Sequence, residues 1–140
     1  MIKDNRGQVS LEYLLIFAIS LMILIVFTMP LVNQSIETTL DVSDSIKIKD
    51  DLSKIALSVN SVYGEGQGSK KTVSIHSTKA FKVNIASSYL SCNIKLKNDK
   101  NKLIKVSCKS NLKESSIYIK KGENTVVVEW PIDSEKMIIY

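Results

Sequence analysis

The sequence predicts an α+β protein in which a long N-terminal, partly transmembrane α-helix packs through its C-terminal half on an antiparallel β-sheet head. Three observations support this prediction. Residues 13–36 are uncharged and mostly apolar, apolar residues then recur at helical spacing as far as Tyr63, and apolar and polar residues alternate from Lys71 onward. These patterns are typical of a membrane-spanning helix, an amphipathic helix and half-buried strands, respectively.

The apolar stretch is long enough to cross a bilayer. Residues 14–32 are apolar except for Ser20, Thr28 and Pro30, and a helix of this length spans roughly 28 Å. Lys3 and Arg6 provide a basic start, but the stretch is longer than that of a secretory signal and no small-residue cleavage site follows it. We therefore expect a membrane segment that is retained. An uncleaved single-pass anchor is the simple alternative.

The helix is expected to continue well beyond this stretch, because no glycine occurs between Gly7 and Gly64. Pro30 cannot donate a hydrogen bond to the carbonyl of Val26, which predicts a kink or an opened turn. A stripe of apolar residues at spacings of three and four predicts the face that packs on the head: Leu52, Ile55, Ala56, Val59, Val62 and Tyr63, with a weaker extension through Ile36, Leu40 and Ile46. Gly64 is the expected helix stop.

The C-terminal half predicts an antiparallel sheet of five or six strands with one face on the amphipathic helix. The alternating segments are TVSIHS, AFKVNIA, CNIKLK, LIKVSC, SIYIKK and TVVVEW, and residues 136–140 are a further candidate for an edge strand. His76, in the first segment, is expected to lie at the surface or near a turn.

The two cysteines lie in neighbouring predicted strands. Folding the hairpin about Lys100 places Cys92 opposite Cys108, within reach of a disulfide. The alternative is two buried thiols that act as small apolar residues. Because His76 is the only other soft ligand, we expect no metal site.

The residues that precede the apolar stretch carry a recognisable motif. Arg6-Gly7-Gln8 followed by Val9-Ser10-Leu11-Glu12-Tyr13 resembles the class III signal peptide of archaeal type IV pilin-like proteins, in which a basic residue and glycine precede Gln-x-Ser-x-Glu-Tyr. The resemblance covers roughly residues 6–32. It implies cleavage by a prepilin peptidase between Gly7 and Gln8, with the processing site formed by Arg6, Gly7, Gln8, Ser10, Glu12 and Tyr13.

The resemblance also implies roles in subunit assembly for Gln8, Glu12 and Pro30. In that family, the glutamate at the fifth mature position neutralises the N-terminal amine of a neighbouring subunit, and Glu12 holds that position when the chain starts at Gln8. The proline permits bending. The alternatives are that Glu12 simply lies at the level of the lipid headgroups, or that Gln8 cyclises to pyroglutamate and removes the amine charge.

These features predict five segments: a cleaved leader (1–7), a hydrophobic transmembrane and assembly helix (8–35), an amphipathic helix (36–63), a glycine-rich turn (64–70) and a β-rich head (71–140). No nucleophile and base occur in a catalytic arrangement, so we expect neither enzymatic activity nor a cofactor. Asn33, in the sequon Asn33-Gln34-Ser35, is a possible glycosylation site.

The functional prediction is a prepilin of an archaeal type IV-like pilus, a single-pass membrane precursor that becomes part of an extracellular filament serving surface adhesion. Its expected partners are prepilin peptidase, the pilus assembly machinery, the membrane before assembly, and further copies of itself in a helical filament. The alternative is a minor pilin-like or membrane-anchored module that captures DNA or another ligand. Nucleic-acid binding stays open, because the head is rich in lysines: Lys95, Lys97, Lys102, Lys105 and Lys109.

Overall fold

The computed structural model of the chain describes residues 5–97, 100–109 and 111–140, with side chains described from Ser10 onward. The chain divides into two compact units, Met1–Leu40 and Asp41–Tyr140. Helix α1 (Asn5–Glu65) begins in the first unit and ends in the second. In the second unit, the helix packs on antiparallel sheets. This confirms the predicted α+β class with a long apolar N-terminal helix.

The end of α1 is defined by Gly66 rather than by Gly64. Gly66 adopts a φ of +89°, and its N–H donates to the carbonyl of Val62 at 3.0 Å. A single bond of this kind to a residue in the left-handed conformation is a common way to end a helix. Gly64 is still helical. The predicted stop at Gly64 was therefore wrong. The left-handed conformation that ends the helix occurs at Gly66, two residues later.

Within the described residues, seven strands follow the helix. They are β1 (Lys70–Ser77), β2 (Phe81–Ile85), β3 (Tyr89–Lys95), β4 (Asn101–Ser107), β5 (Ser115–Ile119), β6 (Gly122–Glu129) and β7 (Ile138–Ile139). Each predicted segment contributes a strand, and the C-terminal residues supply the edge strand β7. The strands form two sheets, ordered β1-β6-β7 and β4-β3-β2-β5, instead of the single sheet expected. Alternation identifies the buried face of a strand, but not its neighbours.

The core lies between the helix and the two sheets. Its buried helical residues are Ile48, Leu52, Ile55, Ala56, Val59 and Val62. Tyr63 is 40% exposed, and its ring stacks on Trp130 with 5.7 Å between the centroids. The head contributes buried side chains from both sheets, among them Ile75, Val83, Leu90, Ile119 and Val128, and from the β6–β7 connection, Met137.

The buried stripe of the helix begins with polar residues. Asp41 and Ser45 are buried and precede Ile48 and Leu52 at alternating spacings of four and three, which keeps all of them on one helix face. Ile36, Leu40 and Ile46 are exposed. The predicted extension of the apolar stripe was therefore wrong, because those three residues do not continue the spacing of the buried face.

The β3–β4 hairpin has a different register from the predicted one. Cys92 lies opposite Ile104, and Lys95 lies opposite Asn101. The N–H of Cys108 donates to the carbonyl of Ser88 at 3.0 Å. Four residues of strand, about 13 Å, separate Ser88 from Cys92, whereas disulfides join Cα atoms about 4.4–6.8 Å apart. The predicted opposition of the two cysteines was wrong, and both are free thiols.

The described loops of the head lie at two opposite ends. The β1–β2, β3–β4 and β5–β6 loops lie at one end, where Asp41 of the helix accepts the N–H of Lys97 and Asp44 pairs with Lys79 at 2.5 Å. We call it the Asp41 end. The α1–β1, β2–β3, β4–β5 and β6–β7 connections lie at the other, the Glu65 end.

Candidate processing and assembly site

The N-terminal part of α1 presents an apolar surface on all sides. Every residue from 10 to 32 is exposed in the single chain, and the most apolar window has a mean hydropathy of 2.8. By length and composition, the helix can cross a membrane. An apolar surface of this extent is unfavourable in water, at roughly 25 cal/mol per Å². Lipid or other protein chains are the environments in which it is stable.

The polar side chains within this stretch are satisfied by the helix itself. The Ser20 hydroxyl donates to the carbonyl of Ile16 at 2.8 Å, and the Thr28 hydroxyl donates to the carbonyl of Leu24 at 2.7 Å. Hydroxyls bonded to their own helix leave no donor unpaired in hydrocarbon. The two residues are therefore compatible with a membrane span.

Pro30 lies inside the helix without ending it. Residues on both sides of Pro30 are helical, so the opened turn that the sequence suggested is absent from residues 26–34. The missing N–H of proline still leaves the carbonyl of Val26 without its usual helical donor. A bend at this position stays a prediction.

The motif residues all lie in the first turns of α1. The backbone of residues 6–8 is helical, whereas the side chains of Arg6 and Gln8 lie outside the described part of the chain. Ser10, Glu12 and Tyr13 are exposed. Residues 8 and 12 are one helical turn apart, which places the fifth residue of a chain starting at Gln8 above its first. Their roles in processing stay predictions.

Glu12 has no internal partner among the described residues. No hydrogen bond or ion pair joins its exposed carboxylate to another of them. A charged side chain in the bilayer centre costs about 2.5–3.5 kcal/mol on insertion scales. Glu12 is therefore stable near the membrane surface, or beside a cation supplied from elsewhere.

The other residues that the sequence analysis named lie outside the apolar stretch of residues 10–32, either just after it in the helix or in the head. Asn33 is exposed in α1. His76 is exposed on β1, as predicted, with Nδ1 3.9 Å from Oε1 of Glu123. Lys105 lies over the ring of Tyr89, 4.9 Å from its centroid. Among the described residues, no three His, Cys, Asp or Glu side chains are grouped so as to hold a metal ion.

A small cavity of about 200 Å³ lies at the Asp41 end of the head. Its lining includes the carboxylates of Asp41 and Asp44, but these are held by the N–H of Lys97 and the ammonium of Lys79. Its described lining contains no serine, threonine, cysteine or histidine. Neither carboxylate was predicted from the sequence. Both lie on the helix face that carries Leu52 and Ile55, further toward the N-terminus. That helical spacing was the signal that could have identified them.

The fold and the exposed helix are similar to those of one class of protein. A long apolar N-terminal helix that packs by its C-terminal half on antiparallel sheets is the arrangement of type IV pilins. The family model of the class III signal peptide matches residues 5–31, so the chain carries the signal of type IV pilin-like prepilins. Such a signal implies processing by prepilin peptidase and pilus assembly, and with the apolar helix it fits a membrane-anchored precursor of a surface pilin. Neither the curated proteins nor the solved structures include a match to this chain.

Proposed function

We propose that the chain is the structural subunit, or prepilin, of an archaeal type IV-like pilus that serves surface adhesion. Prepilin peptidase cuts it between Gly7 and Gln8, and the mature chain polymerises through its apolar helix. The observation that supports this proposal is that the exposed apolar surface of residues 10–32 lies almost entirely within the matched signal, residues 5–31.

The proposed assembly replaces lipid contacts with protein contacts. Apolar helices bundle in the filament interior, and the β-rich heads form its outer surface, where adhesion takes place. A free α-amine has a pKa near 8, so the amine of Gln8 is mostly cationic at neutral pH. Glu12 of a neighbouring subunit is then its partner. A pair of this kind in a dry interior sets the register of subunits more than it adds stability.

Replacing Glu12 tests the assembly step. Glu12→Gln removes the charge and keeps the size of the side chain, so the variant chains that are cleaved after Gly7 are expected to form few surface filaments. Glu37→Gln is the matched control, because Glu37 is exposed on the same helix beyond the apolar stretch. Filament yield in sheared surface fractions, relative to the amount of cleaved chain in the cells, is the measurement. Normal filaments from Glu12→Gln would contradict the proposed pairing.

The second candidate is a minor pilin-like or membrane-anchored module that captures DNA. The formal charge of +5 favours it, because lysines neutralise phosphates and release counterions. Titration of the full chain in zwitterionic nanodiscs with duplex DNA at 50 and 200 mM salt tests this alternative. Binding that weakens steeply with salt, together with the absence of the chain from filaments, would favour this function over the first.

A further inference from the structure

Charge is distributed unequally between the two ends of the head. The three loops at the Asp41 end, residues 78–80, 96–100 and 120–121, carry five lysines and one carboxylate in the sequence, Asp99, which lies outside the described residues. The loops at the Glu65 end, residues 86–88, 108–114 and 130–137, carry three lysines and three carboxylates. With Asp41 and Asp44 of the helix included, the Asp41 end carries two net positive charges, and with Glu65 included, the other end carries one net negative charge.

The lysines of the Asp41 end come from three separate loops, which strand pairing brings to the same end of the head. β3 ends at Lys95 opposite Asn101, β2 begins at Phe81 opposite Ile119, and β1 ends at Ser77 opposite Gly122. The connecting loops therefore share one edge. Lys79 is paired with Asp44, whereas Lys97, Lys100, Lys120 and Lys121 are exposed. Four of the five loop lysines thus present their charge at the same end.

This end is also where the membrane segment joins the head. Asp41 is the first residue of the second unit, and residues 33–40 connect it to the apolar stretch. A peptide of eight residues reaches at most about 28 Å, whatever its conformation. Insertion of the apolar helix therefore ties the Asp41 end to the membrane through a short connection, and a short tether raises the effective concentration of one site near the other.

We propose that the Asp41 end of the head binds the anionic phosphate headgroups of the membrane in which the precursor is inserted. The proposal rests on the membrane insertion in the proposed function. Each lysine near an anionic bilayer surface contributes roughly a fivefold gain in partitioning at low salt, and the attraction falls off within a Debye length. Contact with lipid orients the head before assembly, and transfer into a filament releases it.

The chemistry of this end favours a lipid surface over nucleic acid. Its loops contain no aromatic residue for base stacking, and Arg6 is the only arginine in the chain. Arginine and aromatic side chains are the usual means of reading bases or stacking on them. Exposed lysines in separate loops act as point charges and suit a planar array of phosphates.

Lysine acylation of the full chain in vesicles tests the proposal. The chain is reconstituted into phosphatidylcholine vesicles and into vesicles with about one-third phosphatidylglycerol, and is then labelled with a trace of amine-reactive ester. Site-resolved mass spectrometry is expected to show labelling of Lys97, Lys100, Lys120 and Lys121 slowed about threefold or more by the anionic lipid. Lys109, Lys113 and Lys136 at the Glu65 end serve as internal controls and should be unchanged. Protection should disappear at 1 M salt.

Matched variants separate local contact from general adsorption. Lys97→Gln, Lys100→Gln and Lys121→Gln combined should abolish the protection of Lys120. The control triple, Lys109→Gln, Lys113→Gln and Lys136→Gln, should retain it. Fluorescence of Trp130, the single tryptophan, verifies that both variants are folded.

The outcomes distinguish this proposal from the proposed function. Equal labelling in both vesicle types, in a chain that resists alkaline extraction, would overturn the lipid contact and leave membrane insertion intact. Protection at both ends would also overturn it, as would protection by duplex DNA but not by anionic lipid. A chain that alkaline carbonate extracts from the vesicles would overturn the proposed insertion, and this inference with it.

Discussion

The carboxylate of Asp41 accepts the backbone N–H of Lys97 at 3.2 and 3.3 Å, although the two residues are 56 positions apart. Asp41 is only 7% exposed and lies on the buried face of the helix. Lys97 lies in the β3–β4 turn, where the N–H of Leu96 donates to the carbonyl of Lys100 at 2.9 Å. The bond therefore fastens a turn of the sheet to the first buried residue of the helical stripe.

Replacing Asp41 with alanine tests this link. Asp41→Ala leaves the Lys97 N–H without its acceptor, so the free energy of unfolding should fall by about 1.5–3 kcal/mol, the range for hydrogen bonds to charged groups. Urea unfolding of the full chain in detergent, followed by Trp130 fluorescence, is the measurement. Asp50→Ala is the control, because Asp50 is exposed and its pair with Lys54 contributes little. Equal losses in the two variants would contradict a special role for Asp41.

Two glycines at the end of α1 should respond in opposite directions to alanine. Gly66→Ala places a Cβ on a residue with a φ of +89° and should destabilise the head by about 1–2 kcal/mol. Gly64 is helical, and a Cβ added there meets nothing within 4 Å. Gly64→Ala should therefore raise the free energy of unfolding by up to about 1 kcal/mol. Thermal unfolding of both variants under identical conditions measures the difference. A larger loss at Gly64 would mean that the helix ends there.

The two thiols should react independently and at different rates. Burial raises the pKa of Cys92 to about 11 and also raises the pKa of Cys108. Cys92 is fully buried, whereas Cys108 is half-buried, and the thiolate is the species that reacts. Iodoacetamide at pH 8 should therefore modify Cys108 well before Cys92 in the native chain, and both should react after unfolding without reductant. A peptide cross-linked through Cys92 and Cys108 would contradict the observed β-register.

The free energy of unfolding should depend on pH through Asp51. Burial is the main cause that raises its pKa, and Lys54, 3.8 Å away, acts in the opposite direction. A raised carboxyl pKa gives stability that is fully present below the unfolded value near 3.9 and is lost as pH rises through the folded pKa. Asp51→Asn should therefore be more stable than the natural chain at pH 7.

The advantage of Asp51→Asn should shrink as pH falls toward 4, because protonation relieves the same desolvation in the natural chain. Urea midpoints at pH 4, 5, 6 and 7 measure this trend, with exposed Asp50→Asn as the control. A variant that is less stable at pH 7 would show that the charged form of Asp51 is favoured.

The β3–β4 hairpin shows what the sequence can and cannot predict about the head. Alternation correctly assigned Cys92, Ile94 and Ile104 to the core side, because successive strand residues point to opposite faces. It could not set the register, since a shift by an even number of residues preserves the faces. The conformation of the turn between Leu96 and Lys100 decides the register, and its polar composition is compatible with several turns.

At the candidate site, too, features made of neighbouring residues could be predicted from the sequence, whereas contacts between residues far apart in the chain could not. The motif from Arg6 to Tyr13 is contiguous, so it could be identified from sequence and coincides with the matched signal. The Asp41–Lys97 bond and the lysine-rich end join residues from distant segments. These residues are brought together by strand pairing and by the packing of the helix on the head, which local patterns do not encode.

The most direct test of the account is the N-terminal residue and intact mass of the chain recovered from membranes and from sheared surface filaments. The chain in filaments is expected to begin at Gln8, with residues 1–7 removed. A chain that begins at Met1 and is confined to the membrane would contradict both cleavage and polymerisation, and would favour the membrane-anchored binding module.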